Sequence, residues 1–188
     1  MMKTTADVKQ AGHCLFSIPH DDTYQLEYPY FVGFFASKSN IGLPELIVGS
    51  NMVYGWMPTI LKIKSTNFEP ALKALNKAKG GEVLTDEDFK AIVAVVNNSL
   101  VGTSKLLHFV NPAIYPIWDS RVSLWLLGSK SSSQLNSIPN YRSYMSLCEQ
   151  LTNDDEFLKL TSQFEQHIGY DVTPVRVAEL IMFTSGRV

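Results

Sequence analysis

Along most of this chain apolar residues recur at the three- and four-residue spacings of a helix face. Leu43-Pro44 predicts a helix start, with proline at the first helical position. The run through Leu46, Ile47, Val48, Met52, Val53 and Trp56 is apolar on nearly every side, and Pro58 stops it. Asn67 is placed to cap the next helix, with Leu72 and Leu75 turned inward and Gly80-Gly81 as its end. Thr85 and Asp88 make a box-like start, and Phe89, Ile92, Val93, Val96 and Leu100 then share one helix face. Tyr141, Tyr144, Met145, Cys148 and Leu151 mark a further amphipathic helix, and Phe157, Leu160, Phe164 and Ile168 the one after it. Thr173-Pro174 caps a last helix, Val175 to about Thr184, whose apolar sides predict burial. Ser129 to Ser137 is a polar loop, and the aromatic-rich stretch from Tyr28 to Ala36, with Gly33 inside it, reads as a strand or a packed irregular arm. The expected fold is all-α: one compact domain over 1–188 with seven or eight helices. Its parts are an N-terminal arm over 1–40 that could be extended, a hairpin and site region over 85–127, and a polar loop over 129–137.

Composition narrows the function classes. With 45% hydrophobic residues in 188 the chain can bury a sizeable core, which excludes intrinsic disorder. Sixteen basic against eighteen acidic side chains give a net charge of −2, so any contact with DNA must rest on a local patch. Two cysteines, Cys14 and Cys148, make neither a disulfide scaffold nor a four-ligand zinc site and suit a reducing compartment. No stretch has the length of a membrane helix or a secretory signal, so the expected location is the cytoplasm. Phosphate-binding glycine loops, zinc-protease motifs and nucleophile elbows are missing from the sequence. The four histidines lack metal-ligand spacing; gathering of a metal by His13, Cys14 and His20 is the minor reading beside solvated or core histidines. Neither a metal nor a cofactor is expected.

The chemistry concentrates in Ser99–Val122. A helix is predicted to end near Leu100, Gly102 to make a tight turn, and Thr103 or Ser104 to cap a short helix to Phe109. Asn111-Pro112 and Tyr115-Pro116 then stiffen an extended excursion that leads to Asp119, at the start of the helix carrying Val122, Leu124, Trp125 and Leu126. A turn of this kind offers backbone N–H groups to phosphates with few basic side chains. An ionised Asp at a helix start is stabilised by the helix dipole and can face a developing cation or activate water.

The order Leu100-Val-Gly-Thr-Ser-Lys105, short helix, Pro112, Tyr115-Pro116-Ile117, Asp119, apolar helix resembles the helix-hairpin-helix DNA glycosylase superfamily, over about 25 to 30 residues. The resemblance implies that Gly102, Thr103, Ser104, Lys105 and Arg121 contact the backbone of duplex DNA and that Asp119 is the essential carboxylate. It implies hydrolysis of the N-glycosidic bond of a flipped, damaged or modified base, with a monovalent cation at the hairpin as a structural element. Lys105 falls one residue away from the family's imine-forming lysine under either alignment of the hairpin glycines, so a monofunctional enzyme is expected, with Lys105 the lesser candidate for a catalytic role. Tyr115, Trp118 and Trp125 are the candidate walls of a base pocket, and Tyr54-Gly55-Trp56-Met57-Pro58 either packs in the core or adds another wall. Each residue has a plainer reading. Asp119 suits an N-cap, Lys105 a solvated first turn and Gly102 an ordinary turn, while the aromatics suit the core. Two other functions therefore stand beside the enzyme: a catalytically inactive nucleic-acid-binding module, and a helical protein–protein interaction domain.

Overall fold

The computed structural model describes residues 2–19, 21–56, 59–63 and 67–186. Among them every regular element is helical: eleven α-helices, one 3-10 segment and a lone bridge between Ile63 and Val96. The described residues contain no helix long and apolar enough to cross a membrane.

The described part of the first forty residues is mostly helical, and the expectation of an extended arm is corrected. Helix α1 (Thr5–Ala11) starts with a Thr4–Asp7 capping box and runs into a 3-10 segment over Gly12–Ser17. Helix α2 (Thr23–Ala36) starts at Asp22, whose side chain accepts the N–H groups of Tyr24 and Gln25. Tyr24, Tyr28, Phe31 and Phe35 follow at spacings of 4, 3 and 4, a helical face that a strand would have scattered to both sides. Tyr28 and Phe35 are buried and Phe31 packs against the core; Pro29 and Gly33, both inside the helix, interrupt the period in the sequence.

Helices α3 (Leu43–Gly55), α4 (Glu69–Lys79) and α5 (Asp86–Val95) follow the predicted pattern, with Pro44 in the first turn of α3 and the Thr85–Asp88 box opening α5, except that α5 stops at Val95 and Leu100, expected at its end, opens the next helix. The stop assigned to Pro58 lies outside the described residues. The turn expected at Gly102 sits elsewhere. Helix α5 ends three residues short of Asn98, and the chain reverses through Asn97 and Asn98, at φ 56° and 55°. Asparagine tolerates this left-handed region better than other side chains. Asn97 is anchored besides: its amide accepts the Lys62 N–H at 2.6 Å and donates to the Ile60 carbonyl at 2.8 Å. Ser99 then caps helix α6 (Leu100–Val110) by accepting the Gly102 N–H.

Gly102 is therefore a residue of the first turn of α6. Its lack of a side chain serves close packing: a Cβ built there would lie 2.5 Å from the Tyr54 hydroxyl oxygen of α3. Gly102→Ala is expected to destabilise the fold by about 1–3 kcal/mol, as overpacking does. Adding Tyr54→Phe, which removes that oxygen, should recover part of the loss; equal urea midpoints for the single and double variants would contradict this packing.

Helix α7 (Ser120–Leu127) ends at Gly128 in the left-handed conformation, and the predicted polar loop contains a one-turn helix, α8 (Ser132–Leu135). Asn136 in this segment accepts the Leu100 N–H and so helps cap α6. Helices α9 (Ile138–Thr152) and α10 (Asp155–Ile168) carry the predicted apolar faces, and α11 (Pro174–Ser185) matches its predicted span. Two helices act as hubs. Helix α6 packs against α2, α3, α4 and α5, while α11 packs against α1, α7, α9 and α10. Every residue of α11 from Val175 to Met182 is buried.

Candidate active site

The segment between α6 and α7 is extended and has no neighbouring strand to satisfy its backbone, so side chains do this instead. Four successive carbonyls are each met by a different residue. His108 donates from Nδ1 to Tyr115 at 2.7 Å, Tyr141 to Pro116 at 2.9 Å, Tyr144 to Ile117 at 3.2 Å, and the Ser104 hydroxyl, shared with the Val101 carbonyl at 2.9 Å, to Trp118 at 3.2 Å. Ser104 also accepts the Trp118 N–H at 2.9 Å. The row of bonds ends at Asp119, whose position it fixes. Asp119 caps α7: Oδ1 accepts the N–H groups of Arg121 and Val122, both at 2.9 Å, while Oδ2 has no hydrogen bond among the described residues.

Asp119 lies on a cavity of about 520 Å³ between the two hub helices. Lys105 of α6 lines it, as do Arg176 and Glu179 of α11, Tyr24 and Gln25 of α2, and Trp56 just after α3. Burial pushes the Lys105 ammonium below the ordinary lysine range against the opposing pull of Asp119 and Glu179, which act on it through space without a hydrogen bond. Arg176 and Glu179 form an ion pair one helical turn apart, both buried. The Arg176 guanidinium stacks 4.5 Å from the Tyr28 ring centroid and 5.9 Å from that of Trp56. Its Nε–H is buried without a hydrogen-bond partner among the described residues. Burial raises Glu179 to about 7, outweighing the stabilisation of its charge by Arg176.

The predicted site residues divide into two groups. Asp119, Lys105 and Arg121 meet on the cavity; Arg121 is exposed, with its guanidinium 4.6 Å from the Phe183 ring centroid. Gly102, Thr103 and Ser104 are buried inside α6, and their N–H groups belong to a capped helix, so the expected presentation of these groups to a DNA backbone is corrected. The predicted base-pocket walls are corrected as well. Tyr115 and Trp118 are fully buried, and both bond to backbone, Tyr115 to the Glu82 carbonyl and Leu84 N–H and Trp118 to the Leu135 carbonyl. Trp125 is half-buried beneath the Lys3 ammonium. None of the three lines the cavity, whose aromatic walls are Trp56, Tyr24 and Phe183. Met57 and Pro58 of the second predicted wall, and His20 of the minor metal reading, lie outside the described residues. Among the described residues no three His, Cys, Asp or Glu side chains gather as a metal site.

Arg176 and Glu179 escaped the sequence reading, although a signal was present: two opposite charges three apart in an otherwise apolar helix call for burial as a pair. His108 ties the site to α2, since with Nδ1–H given to a carbonyl, Nε2 accepts the Tyr28 hydroxyl at 2.9 Å. Burial, and then Arg176, push His108 down to about 3.

These two shifts give opposite pH dependences. The unfolded chain binds a proton at His108 below 6.5 that the folded chain refuses down to about 3, so this group lowers stability as pH falls across that window. The folded chain keeps the Glu179 proton up to about 7 while the unfolded chain releases it near 4.5, so this group lowers stability as pH rises from 4.5 to 7. Arg176, Tyr28 and Tyr115 surround His108, and Arg176, Asp119 and Lys105 act on Glu179. Between 4.5 and 6.5 the two contributions offset. Glu179→Gln removes one of them and should leave a stability that climbs with pH by up to about 1.4 kcal/mol per unit over this range. Urea unfolding at several pH values checks this; a slope no steeper than that of the parent protein would contradict it.

No known family, no curated protein and no solved structure matches this chain.

Proposed function

We propose that the cavity is the active site of a glycosylase-like hydrolase acting on a nucleotide whose base is turned out of its stack. The observation that carries this reading is the meeting of Asp119 and Lys105 on one cavity, from helices joined by the rigid 111–118 segment. The cavity volume of about 520 Å³ falls within the roughly 300–1,000 Å³ of small-molecule sites, and Trp56 and Tyr24 offer aromatic surface to a planar base. In the reaction the C1′–N bond breaks and its electron pair leaves with the base. Positive charge develops on the sugar, facing the Asp119 carboxylate. Water then adds to C1′ and its proton passes to Asp119. One oxygen of Asp119 is committed to the helix cap, which holds the carboxylate in place, and the other remains for the sugar and water.

DNA contact in this reading falls to the cavity mouth, where Arg121 and Tyr24 are exposed, rather than to Gly102–Ser104. The burial of Gly102–Ser104 favours as second reading a pocket that binds a nucleobase or related ligand without cleaving a bond. A panel of labelled oligonucleotides, single- and double-stranded and carrying varied damaged or modified bases, separates the two. Abasic sites on at least one substrate are expected; a folded protein that leaves every substrate intact would overturn the enzymatic reading.

A further inference from the structure

Asp119 is not the only carboxyl group on the inner wall of the cavity. Glu179 of α11 lines it as well, at 2% exposure. Its Oε2 is held by the Arg176 guanidinium. Its Oε1 has no hydrogen bond among the described residues and is not one of the sealed unpartnered atoms, so it opens on the cavity. The pair stands beside the aromatic wall. The Arg176 guanidinium lies 5.9 Å from the Trp56 ring centroid, and Trp56 is fixed by its Nε1–H, which donates to Glu27 at 2.7 Å. A planar base laid on Trp56 turns an edge toward Glu179.

A neutral base that leaves with the C1′–N electron pair and no proton leaves as an anion. Asp119, ionised to face the sugar, has no proton to offer it. Glu179 is in a state to supply one: burial raises it to about 7 against the pull of Arg176 and Lys105, and Asp119 adds to the rise. Tyr28, Tyr170, Tyr144 and Cys148 also feel its charge, and burial pushes all four above their ordinary ranges. Once the proton has gone, Arg176 pairs with the carboxylate left behind, which favours the transfer. Two carboxyl groups in unequal surroundings are a recurrent way for one site to hold an acid and a base.

We propose that Glu179 is the general acid of this cavity, passing a proton from Oε1 to a neutral base as its C1′–N bond breaks. The proposal rests on the glycosylase-like reading and extends it to the leaving group. The base departs with the electron pair and the Glu179 proton, water adds to C1′ and gives its proton to Asp119, and exchange with solvent restores both carboxyl groups. The substrate class is then a base that is uncharged in its nucleotide, since an alkylated base that is already cationic needs no such proton.

The test follows base release against pH for the unmodified protein, Glu179→Gln and Asp119→Asn, with thermal unfolding recorded on the same samples. Glutamine keeps the shape and an oxygen for Arg176 but has no proton to transfer. On the best neutral-base oligonucleotide the unmodified protein should slow as pH rises through about 7. Glu179→Gln should be slower by about a hundredfold or more and should lose that dependence. Asp119→Asn should be slow but keep the dependence, moved to lower pH because Asp119 no longer raises Glu179. An oligonucleotide carrying cationic 7-methylguanine should be cleaved no faster than the neutral one, and any cleavage should depend on Glu179 at least about tenfold less. In protein labelled with 13C-glutamate, one carboxyl should titrate near 7 and be missing from Glu179→Gln. A Glu179→Gln protein within about threefold of the parent rate, an unchanged pH dependence in that variant, or equal losses on neutral and cationic bases would overturn the proposal and leave the Asp119 reading standing. Release of no base from any oligonucleotide would overturn both.

Discussion

Arg176→Met is expected to be the most destabilising single change in the molecule at pH 8. The substitution takes the counter-charge from Glu179, which is buried within α11, and breaking a buried pair by removing one partner typically costs about 3–5 kcal/mol. For a chain of this size that corresponds to a fall in melting temperature of roughly 6–20 °C. The contacts of the guanidinium with the Tyr28 and Trp56 rings are lost too. The cost should shrink at pH 5.5, because Glu179, raised to about 7 even beside Arg176, then carries its proton and leaves no charge to strand. The double variant Arg176→Met/Glu179→Leu fills the same space with apolar groups and should recover most of the stability, since replacing a whole buried pair is often neutral or better. Urea unfolding of the three proteins at both pH values checks this. A double variant no more stable than the single one would show that the pair is not what the single change breaks.

The sequence was informative wherever one helix face met one core. The helices over Asp86–Val95, Ile138–Thr152, Asp155–Ile168 and Pro174–Ser185 follow the spacing of Phe89 and Ile92, Tyr141 and Cys148, Phe157 and Phe164, and Val177 and Ile181. It failed for α2, where Pro29 and Gly33 interrupt a face that Asp22 starts and Tyr28 and Phe35 complete. At Gly102 it failed for a different reason. A glycine inside a helix and a glycine at a turn look alike in one dimension, and what separates them here is the Tyr54 hydroxyl, forty-eight residues earlier in the chain. The true reversal uses Asn97 and Asn98, held by the 60–62 segment.

In the site, Asp119 was legible because a proline-stiffened approach ending in a cap residue is local information. The cavity walls were not. Tyr115 and Trp118 stand beside Asp119 in the chain, yet extended backbone turns them into the core, and the aromatic walls come from α2 and from the residue after α3. Arg176 and Glu179 reach the same cavity from the far end of the sequence.

The second large effect concerns Asp119, whose two possible roles predict different orders of variants. Asn caps helices about as well as Asp, and Ala costs about 1 kcal/mol at such a position. As a cap alone, Asp119→Asn would be silent. As the catalytic carboxylate, its amide keeps both bonds to the Arg121 and Val122 N–H groups but brings no negative charge to the sugar and no base to water. Activity should then fall by about two to four orders of magnitude in Asp119→Asn, while stability barely moves. Asp119→Ala should lose activity to a similar degree and about 1 kcal/mol of stability as well.

The most direct measurement is base release from the best oligonucleotide substrate, compared between the unmodified protein and Asp119→Asn, with thermal unfolding recorded on the same samples. The account predicts matching melting curves and a rate lower by at least about a hundredfold in the variant. Full activity in Asp119→Asn would contradict it, leaving Asp119 as a helix cap at the edge of a binding cavity.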